Sequence, residues 1–368
     1  MYLMLKDVEV LYFNLDEFVV SEIRPDLLPF SLRGAFSPLS DMKSLLSNIQ
    51  ILKTYLSRRV LSLSRTNAKQ IYALFGIPQL NDIETRVKIC LACMGVSIQD
   101  SYWIKPDNSS LKFKDVNIRV NKFKEIVDIS LDGLNPSITV NCINPELTTH
   151  GLFRKAWTRY DDGLYLLKSD THSQNINTRM EVLASKILDC FSNKIECVHY
   201  DGRMRNTTYG KIYTSKCKSY ARETHSAVEA WEIMEYALRQ GISYRDYILG
   251  LSTKVADIGV LDFILSNTDR HTQNYGFFMN NSTGLIEDII PLFDLNLSLV
   301  SDLLGVDTSN TLSQMFNDSS TLLQVASYYK PLTNIKLDET KLKELRYRNK
   351  EYSIVFDNVL KRYDYLFR

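Results

Sequence analysis

Five residues between positions 168 and 294 could together move a phosphoryl group. Asp269 and Asn274 stand five apart in "SNTDRHTQNYGFF", residues 266–278, and Asp294 follows in "PLFDLNLSL". A carboxylate such as Asp269 can orient an acceptor hydroxyl and take its proton, while an asparagine oxygen and a second carboxylate are hard ligands suited to Mg2+. Such a centre also needs a fixed cation for the donor phosphates. Lys168, at the end of "GLYLLKSD", can supply it, with Glu181 to hold it. Taken singly, each has a plainer explanation: Asp and Asn cap helices and make turns, and lone lysines and glutamates are commonly solvated. The order lysine, glutamate, Asp-x4-Asn, aspartate sets these five apart.

The surrounding segments read as elements able to position them. "LFRKAW" and "GLYLLKSD" flank "TRYDDG", whose Asp-Gly suits a tight reversal between two strands. "NTRMEVLASKILDCF" predicts a helix, with Met180, Leu183, Ala184, Ile187, Leu188 and Phe191 as its apolar stripe and Glu181 beside that stripe. "KIECVHY" and "TTYGKIYTSKC" predict strands, and Val228, Trp231, Glu235 and Leu238 an amphipathic helix. "ADIGVLDFILSN" leads into the Asp269 loop, and "YGFFM" and "LIEDII" form a hairpin across "NNSTG".

The first hundred residues read as largely helical. Leu45, Ile49, Leu52 and Leu56 share one face of a helix that Ser40 or Asp41 can cap, and "AKQIYALFG" and "IETRVKICLACMG" predict two more. The only CxxC, Cys90 and Cys93, falls at helical spacing without a second pair or a nearby histidine, so core cysteines are favoured over a metal or redox site. Residues 101–139 mix turns, aromatics and short strands, and a boundary is placed near "DGLNP". The expected division is a mostly helical accessory domain over 1–135, an N-lobe over 136–222 and a C-lobe over 223–368.

Charge and composition narrow the class. In 368 residues, 44 Lys and Arg face 43 Asp and Glu, a formal charge of +1 that implies no broad field for nucleic acid. No apolar run reaches membrane-spanning length, the start "MYLMLKDVEVLYF" lacks the form of a signal peptide, and six cysteines fit a reducing compartment. A cytoplasmic protein without a membrane span is expected.

From about residue 145 to 310 the chain resembles the HipA-like kinases, bacterial members of the wider protein-kinase and phosphatidylinositol-kinase superfamily. "NTDRHTQNYGF" is similar to their catalytic loop, "PLFD" to their metal-binding segment, and "HGLFRKAW…DGLYLLKSD" to their phosphate-loop and lysine region. The resemblance implies an α+β, bilobal protein-kinase-like fold that takes ATP and Mg2+ in its cleft. It also implies that Asp269 is the catalytic aspartate, Asn274 and Asp294 the metal ligands, Lys168 the α,β-phosphate lysine and Glu181 its partner. His150 and Gly151 would belong to the phosphate loop. Adenine would meet the backbone near Ser215, Lys216, Cys217 and Lys218, where the "TTYGKIYTSKC" strand gives way to polar residues.

The chain departs from ordinary kinases in three places. Histidine follows the aspartate in Asp269-Arg270-His271, Leu295-Asn296 stands where Phe-Gly is usual, and the phosphate loop has a single glycine, Gly151. The implied activity is phosphorylation of protein serine or threonine, with autophosphorylation of Thr148 or Thr149 and an antitoxin-type protein partner as family traits. Two alternatives stay open on these residues: a small-molecule or phosphatidylinositol kinase, and a pseudokinase-like nucleotide-binding module.

Overall fold

The computed structural model describes residues 1–38, 40–136, 141–170, 176–207, 210–316 and 318–368. The chain opens on strands β1 (Tyr2–Leu5), β2 (Val8–Asn14) and β3 (Val19–Glu22). The periodicity reading had placed no strand before residue 101. β1 is a central strand between β2 and β4 (Tyr102–Lys105), buried on both faces, so its residues do not alternate in polarity. Helix α1 (Met42–Arg58) packs against β3 of this sheet; α2 (Ala68–Leu74), α3 (Ile83–Ala92), short α4 (Phe113–Val116) and α5 (Val127–Asp132) follow, α3 packing on α1 and α2 on α5. Asp41, not Ser40, caps α1, its carboxylate accepting from Ser44 N at 2.8 Å. Cys90 and Cys93 are buried free thiols in the core.

The next layer is an antiparallel sheet in the order β5-β6-β9-β8: β5 (Arg154–Tyr160), β6 (Gly163–Ser169), β8 (Tyr200–Thr207) and β9 (Gly210–Lys218). The β5–β6 reversal falls on Asp161-Asp162, one residue earlier than Asp-Gly, and Gly163 opens β6 at φ 140°. α6 (Ile176–Leu188) packs on this sheet. It buries Met180, Leu183, Ala184, Ile187 and Leu188 of the expected stripe and Glu181 as well, while Phe191 lies beyond its end, in a short strand. "KIECVHY" is not a continuous strand: β7 (Phe191–Ser192) precedes it, Cys197 makes an isolated parallel bridge to Leu292, and only Tyr200 enters β8.

β10 (His225–Glu229) then leads into α7 (Ala230–Arg239), α8 (Tyr244–Leu251) and α9 (Val255–Ile264). Every residue of α9 is buried, which explains the uninterrupted apolar run that names it as the central helix. β11 (Gly276–Asn280) and β12 (Ile286–Ile289) form the expected hairpin and continue the β10 edge. α10 (Val300–Leu303), α11 (Leu322–Tyr329), β13 (Lys336–Leu337), α12 (Glu339–Arg348) and α13 (Ser353–Phe367) complete a mostly helical lower half. Val228, placed on the α7 stripe by spacing, belongs to β10, and Leu238 is exposed. Among the described residues no helix is long and apolar enough to cross a membrane.

One hydrophobic cluster runs through all three regions, from Leu3 and Phe13 through Leu188 to Phe277 and Val359. A second, holding Met4, Trp103, Phe113, Trp157 and Leu164, joins the first sheet to β5 and β6. Polar straps cross the same junctions. Arg119 donates to the carbonyl of Arg222 at 2.6 Å, Arg159 to the carbonyl of Arg119 at 3.0 Å, and Ser101 N to Ser226 Oγ at 3.0 Å.

Candidate functional site

Sheet register builds the first part of the site. Lys168 lies directly opposite Lys155 on β5 and Ser215 on β9, so the three occupy one row across the sheet. From that row Lys168 Nζ donates to Glu181 Oε1 at 2.6 Å and to Asp294 Oδ1 at 2.8 Å. Ser215 Oγ donates to the other Glu181 oxygen at 2.8 Å, fixing that carboxylate from both sides. Burial alone would lower the Lys168 ammonium. Asp294 and Glu181 outweigh it and hold the group charged well above its ordinary range.

Asp294 is presented by a backbone that few side-chain-bearing residues adopt. Its φ is 55°, and its N–H donates to the Tyr200 hydroxyl at 3.1 Å. Burial pushes its carboxyl up, but Lys168 and Lys155 together bring it well below the usual carboxylate range. The second oxygen stays available as an anionic ligand.

The Asp269 loop is built on Arg270. This fully buried guanidinium pairs with Asp262 of α9, with Nε to Oδ2 at 3.0 Å, and donates to the carbonyls of Asn274 and Phe293 at 2.7 Å each. One side chain thereby ties the loop both to the central helix and to the residue before Asp294. Asn274 Nδ2 donates to the Asp269 carbonyl at 2.8 Å, which leaves its amide oxygen as a neutral ligand atom. Burial raises the half-buried Asp269 carboxyl above its ordinary value. Ala230 N and Trp231 N, at the start of α7, hold the loop from outside through the carbonyls of Tyr275 and Thr272, each at 3.0 Å.

β5 and the stretch at 61–66 bring two cations that the sequence reading passed over. Lys155 Nζ lies over Gly151, where a built Cβ would stand 2.3 Å from it; the φ of Gly151 is +97°, so both space and backbone call for glycine. Burial lowers the Lys155 ammonium to about 8, with Asp294 opposing that shift and Lys168 and Arg65 adding to it. Arg65 is buried against Glu146 at 3.0 Å and donates to the Lys155 carbonyl. Glu146 also accepts from Trp157 N at 2.6 Å. The backbone of 61–66 holds both ends of the loop, with Leu61 N on the Leu147 carbonyl at 2.7 Å and Thr66 N on the Leu152 carbonyl at 3.0 Å. Burial lowers the imidazole of the neighbouring His150 to about 4, keeping it neutral near pH 7. A hairpin turning at 161–162 sets 155 opposite 168, so strand counting was the signal that could have found Lys155. Nothing in the sequence marks Arg65.

Not every candidate side chain faces this point. Cys217 shares the face of Ser215, but Lys216 and Lys218 project from the other side of β9. Lys216 Nζ lies 5.0 Å from the rings of Tyr160 and Tyr165, and Lys218 pairs with Asp162 at 3.1 Å. Residues 215–218 are paired residue for residue with β6, and Ser219 N still donates to the Leu164 carbonyl. Beyond it, Tyr220 packs 5.4 Å from the Phe293 ring, next to Asp294. Thr148 and Thr149 both donate to the Pro145 carbonyl, at 3.3 and 2.6 Å, and the Trp157 indole donates to Thr149 Oγ1 at 2.8 Å.

As a ligand set, the site offers two hard oxygens, from Asn274 and Asp294. Among the described residues no cluster of three or more His, Cys, Asp or Glu could enclose a metal. Two protein oxygens with the remaining positions left to phosphate and water fit Mg2+, which keeps much of its hydration.

No family model and no curated protein matches the sequence. Similarity is found among solved structures. The HipA–HipB toxin–antitoxin complex with its operator DNA, from Shewanella oneidensis MR-1, aligns at TM-score 0.52 over 98% of this chain and 96% of that chain, with 11% identity. The proinflammatory kinase CtkA of Helicobacter pylori aligns at TM-score 0.45 over 60% of this chain and 90% of that chain, with 15% identity. The sheet carrying Lys168, the helix carrying Glu181 and the loop-and-hairpin carrying Asp269, Asn274 and Asp294 thus lie in an α+β chain whose fold is similar to that of HipA.

Proposed function

We propose that the protein is an ATP- and Mg2+-dependent kinase that phosphorylates serine or threonine of a protein. The observation that carries this reading is the double contact of Lys168 with Glu181 and Asp294, in a chain whose Asp269–Asn274 loop is fixed to Asp294 by Arg270. In this reading Lys168 holds the α- and β-phosphates, Lys155 and the backbone around His150 and Gly151 hold the outer phosphates, and Asn274 and Asp294 hold Mg2+. The metal, when bound, neutralises charge on the transferring group. Asp269 orients the acceptor hydroxyl and accepts its proton as the oxygen bonds to the γ-phosphorus and the bond to ADP breaks. Adenine meets the backbone at the end of β9, at residues 218–221, because the groups before that point are engaged in the sheet.

Autophosphorylation at Thr148 or Thr149 belongs to the same proposal. It requires the Pro145 turn to open, since both hydroxyls are engaged there. The HipA of similar fold was solved with HipB; a protein partner of antitoxin type and a cytoplasmic location complete the reading.

The test is incubation with γ-labelled ATP and Mg2+, using protein acceptors in one arm and phosphatidylinositol vesicles in the other. Native protein should label itself or a protein. Asp269→Asn should keep nucleotide affinity and lose about 10²-fold or more in transfer. Asp294→Asn should lose metal-dependent nucleotide binding too. Labelling of lipid alone would transfer the assignment to a lipid kinase, and failure of the native protein to bind nucleotide would leave a non-enzymatic module.

A further inference from the structure

The face of α7 that carries Trp231, Glu235 and Leu238 does not enter the core, which takes Ala230, Ile233 and Ala237 instead. Trp231, Glu235 and Arg239, one turn apart, form one wall of a groove of about 390 Å3, and α1 forms the other through residues that include Ile51 and Arg58. Leu32 and Ala35 contribute apolar floor between them. The same two helices also hold large apolar side chains in solvent, Leu46 of α1 at 49% and Leu238 of α7 at 66% exposure, each next in sequence to a groove residue. Exposed leucines on both helices that wall an apolar channel mark an interaction surface.

Charge narrows the occupant. Arg58 lies over the Trp231 ring at 4.5 Å and pairs with Glu235 at 2.7 Å. Arg239 donates to the carbonyls of Phe30 and Arg33, at 3.0 and 3.2 Å, and so neutralises no carboxylate. The lining side chains thus carry two guanidinium groups and one carboxylate, a net positive lining; behind it Glu232 accepts from Ser31 Oγ at 2.8 Å, its carboxyl raised by burial to about 7. Two helices side by side with anchors one turn apart form the kind of channel that accepts the apolar face of a third helix, and Trp231 to Arg239 spans about 12 Å, or two turns.

We infer that this groove docks a protein partner through an amphipathic helix carrying acidic residues beside its apolar stripe. None of Lys155, Lys168, Asp269, Asn274 and Asp294 lines it, so the inference stands apart from the kinase reading.

The probes are two fluorescein-labelled peptides with identical leucines at i, i+3, i+4 and i+7, one with glutamates between them and one with lysines. Anisotropy with the full chain should show the glutamate peptide binding about fivefold tighter or more, the upper end for an exposed ion pair. Arg239→Glu should abolish or invert that preference. Ser47→Trp, at an exposed groove position, should fill the channel and remove binding of both peptides without changing the melting temperature. Equal binding of the two peptides, no binding of either, or binding untouched by Ser47→Trp would overturn the inference. Self-association that Ser47→Trp abolishes would give the groove to a second copy of the chain instead.

Discussion

Lys168 sits between two carboxylates in a largely dry setting, and the consequences of removing it follow from that placement. Lys168→Met strands Glu181 and Asp294 without their cation. The loss expected in urea unfolding at pH 7.5 is about 3–5 kcal/mol. The deficit should shrink on going to pH 5: the stranded carboxylates titrate higher in the fold than unfolded, so the folded mutant binds more protons there and gains stability as pH falls. Lys155 behaves in the opposite way. Its folded value of about 8 lies below the ordinary 10.5, so between those limits the unfolded chain holds more protons and this group makes the fold more stable as pH rises. Its hold on phosphate needs the charged form, so nucleotide affinity should fall by up to about tenfold per unit above pH 8. Calorimetry on Lys155→Arg, which stays charged, should give a flat profile over the same range. If the native and arginine profiles coincide, Lys155 does not contact the nucleotide.

Among elements, the contact of β10 with β11 beside the Asp269 loop is a tight point to probe. A Cβ on Gly276 would stand 2.2 Å from the Val228 carbonyl oxygen and 3.0 Å from Glu229 Cα, both backbone atoms that cannot swing aside. Gly276→Ala should cost about 1–3 kcal/mol and displace the start of α7 from the loop carbonyls it holds. Gly250 in α8 has open space at the same position. There the same substitution should be neutral or stabilise by up to about 1 kcal/mol, through helix propensity. Thermal melts of the two variants should shift in opposite directions. These elements also show what a sequence reveals. α9, its loop and the hairpin were legible because a helix buried all round and an alternating hairpin leave strong local patterns. β1 was not, since a central strand reads as an apolar run without period. The five polar residues of the proposed site were singled out by order and spacing. Arg65 was not, because a buried arginine is distinguished from a solvated one only by a partner, Glu146, that lies 81 residues away.

For the whole molecule, the accessory region and the two lobes share one core. The division at about residue 135 is therefore proposed as a boundary of chain organisation and not of folding. Residues 136–368 produced alone would uncover Met279 and Tyr236, which Arg33, Tyr102 and Phe30 contact in the full chain, and should be recovered aggregated. The full chain should unfold in one transition, with the same midpoint by tryptophan fluorescence and by circular dichroism. Two separate transitions would mean that the regions fold independently.

The backbone of residues 61–66 leaves α1 and grips both ends of the loop that carries Gly151. α1 is also a wall of the cationic groove, so a ligand in the groove and a nucleotide in the cleft press on one continuous stretch of chain. Their binding free energies are then not independent. Whatever factor an acidic helix imposes on nucleotide affinity, the nucleotide must impose on affinity for the helix, because the cycle of four states closes. Titrating the peptide with and without nucleotide, and the nucleotide with and without peptide, should return one number twice. A ratio different from one would make the accessory region a reporter of cleft occupancy to whatever protein it holds.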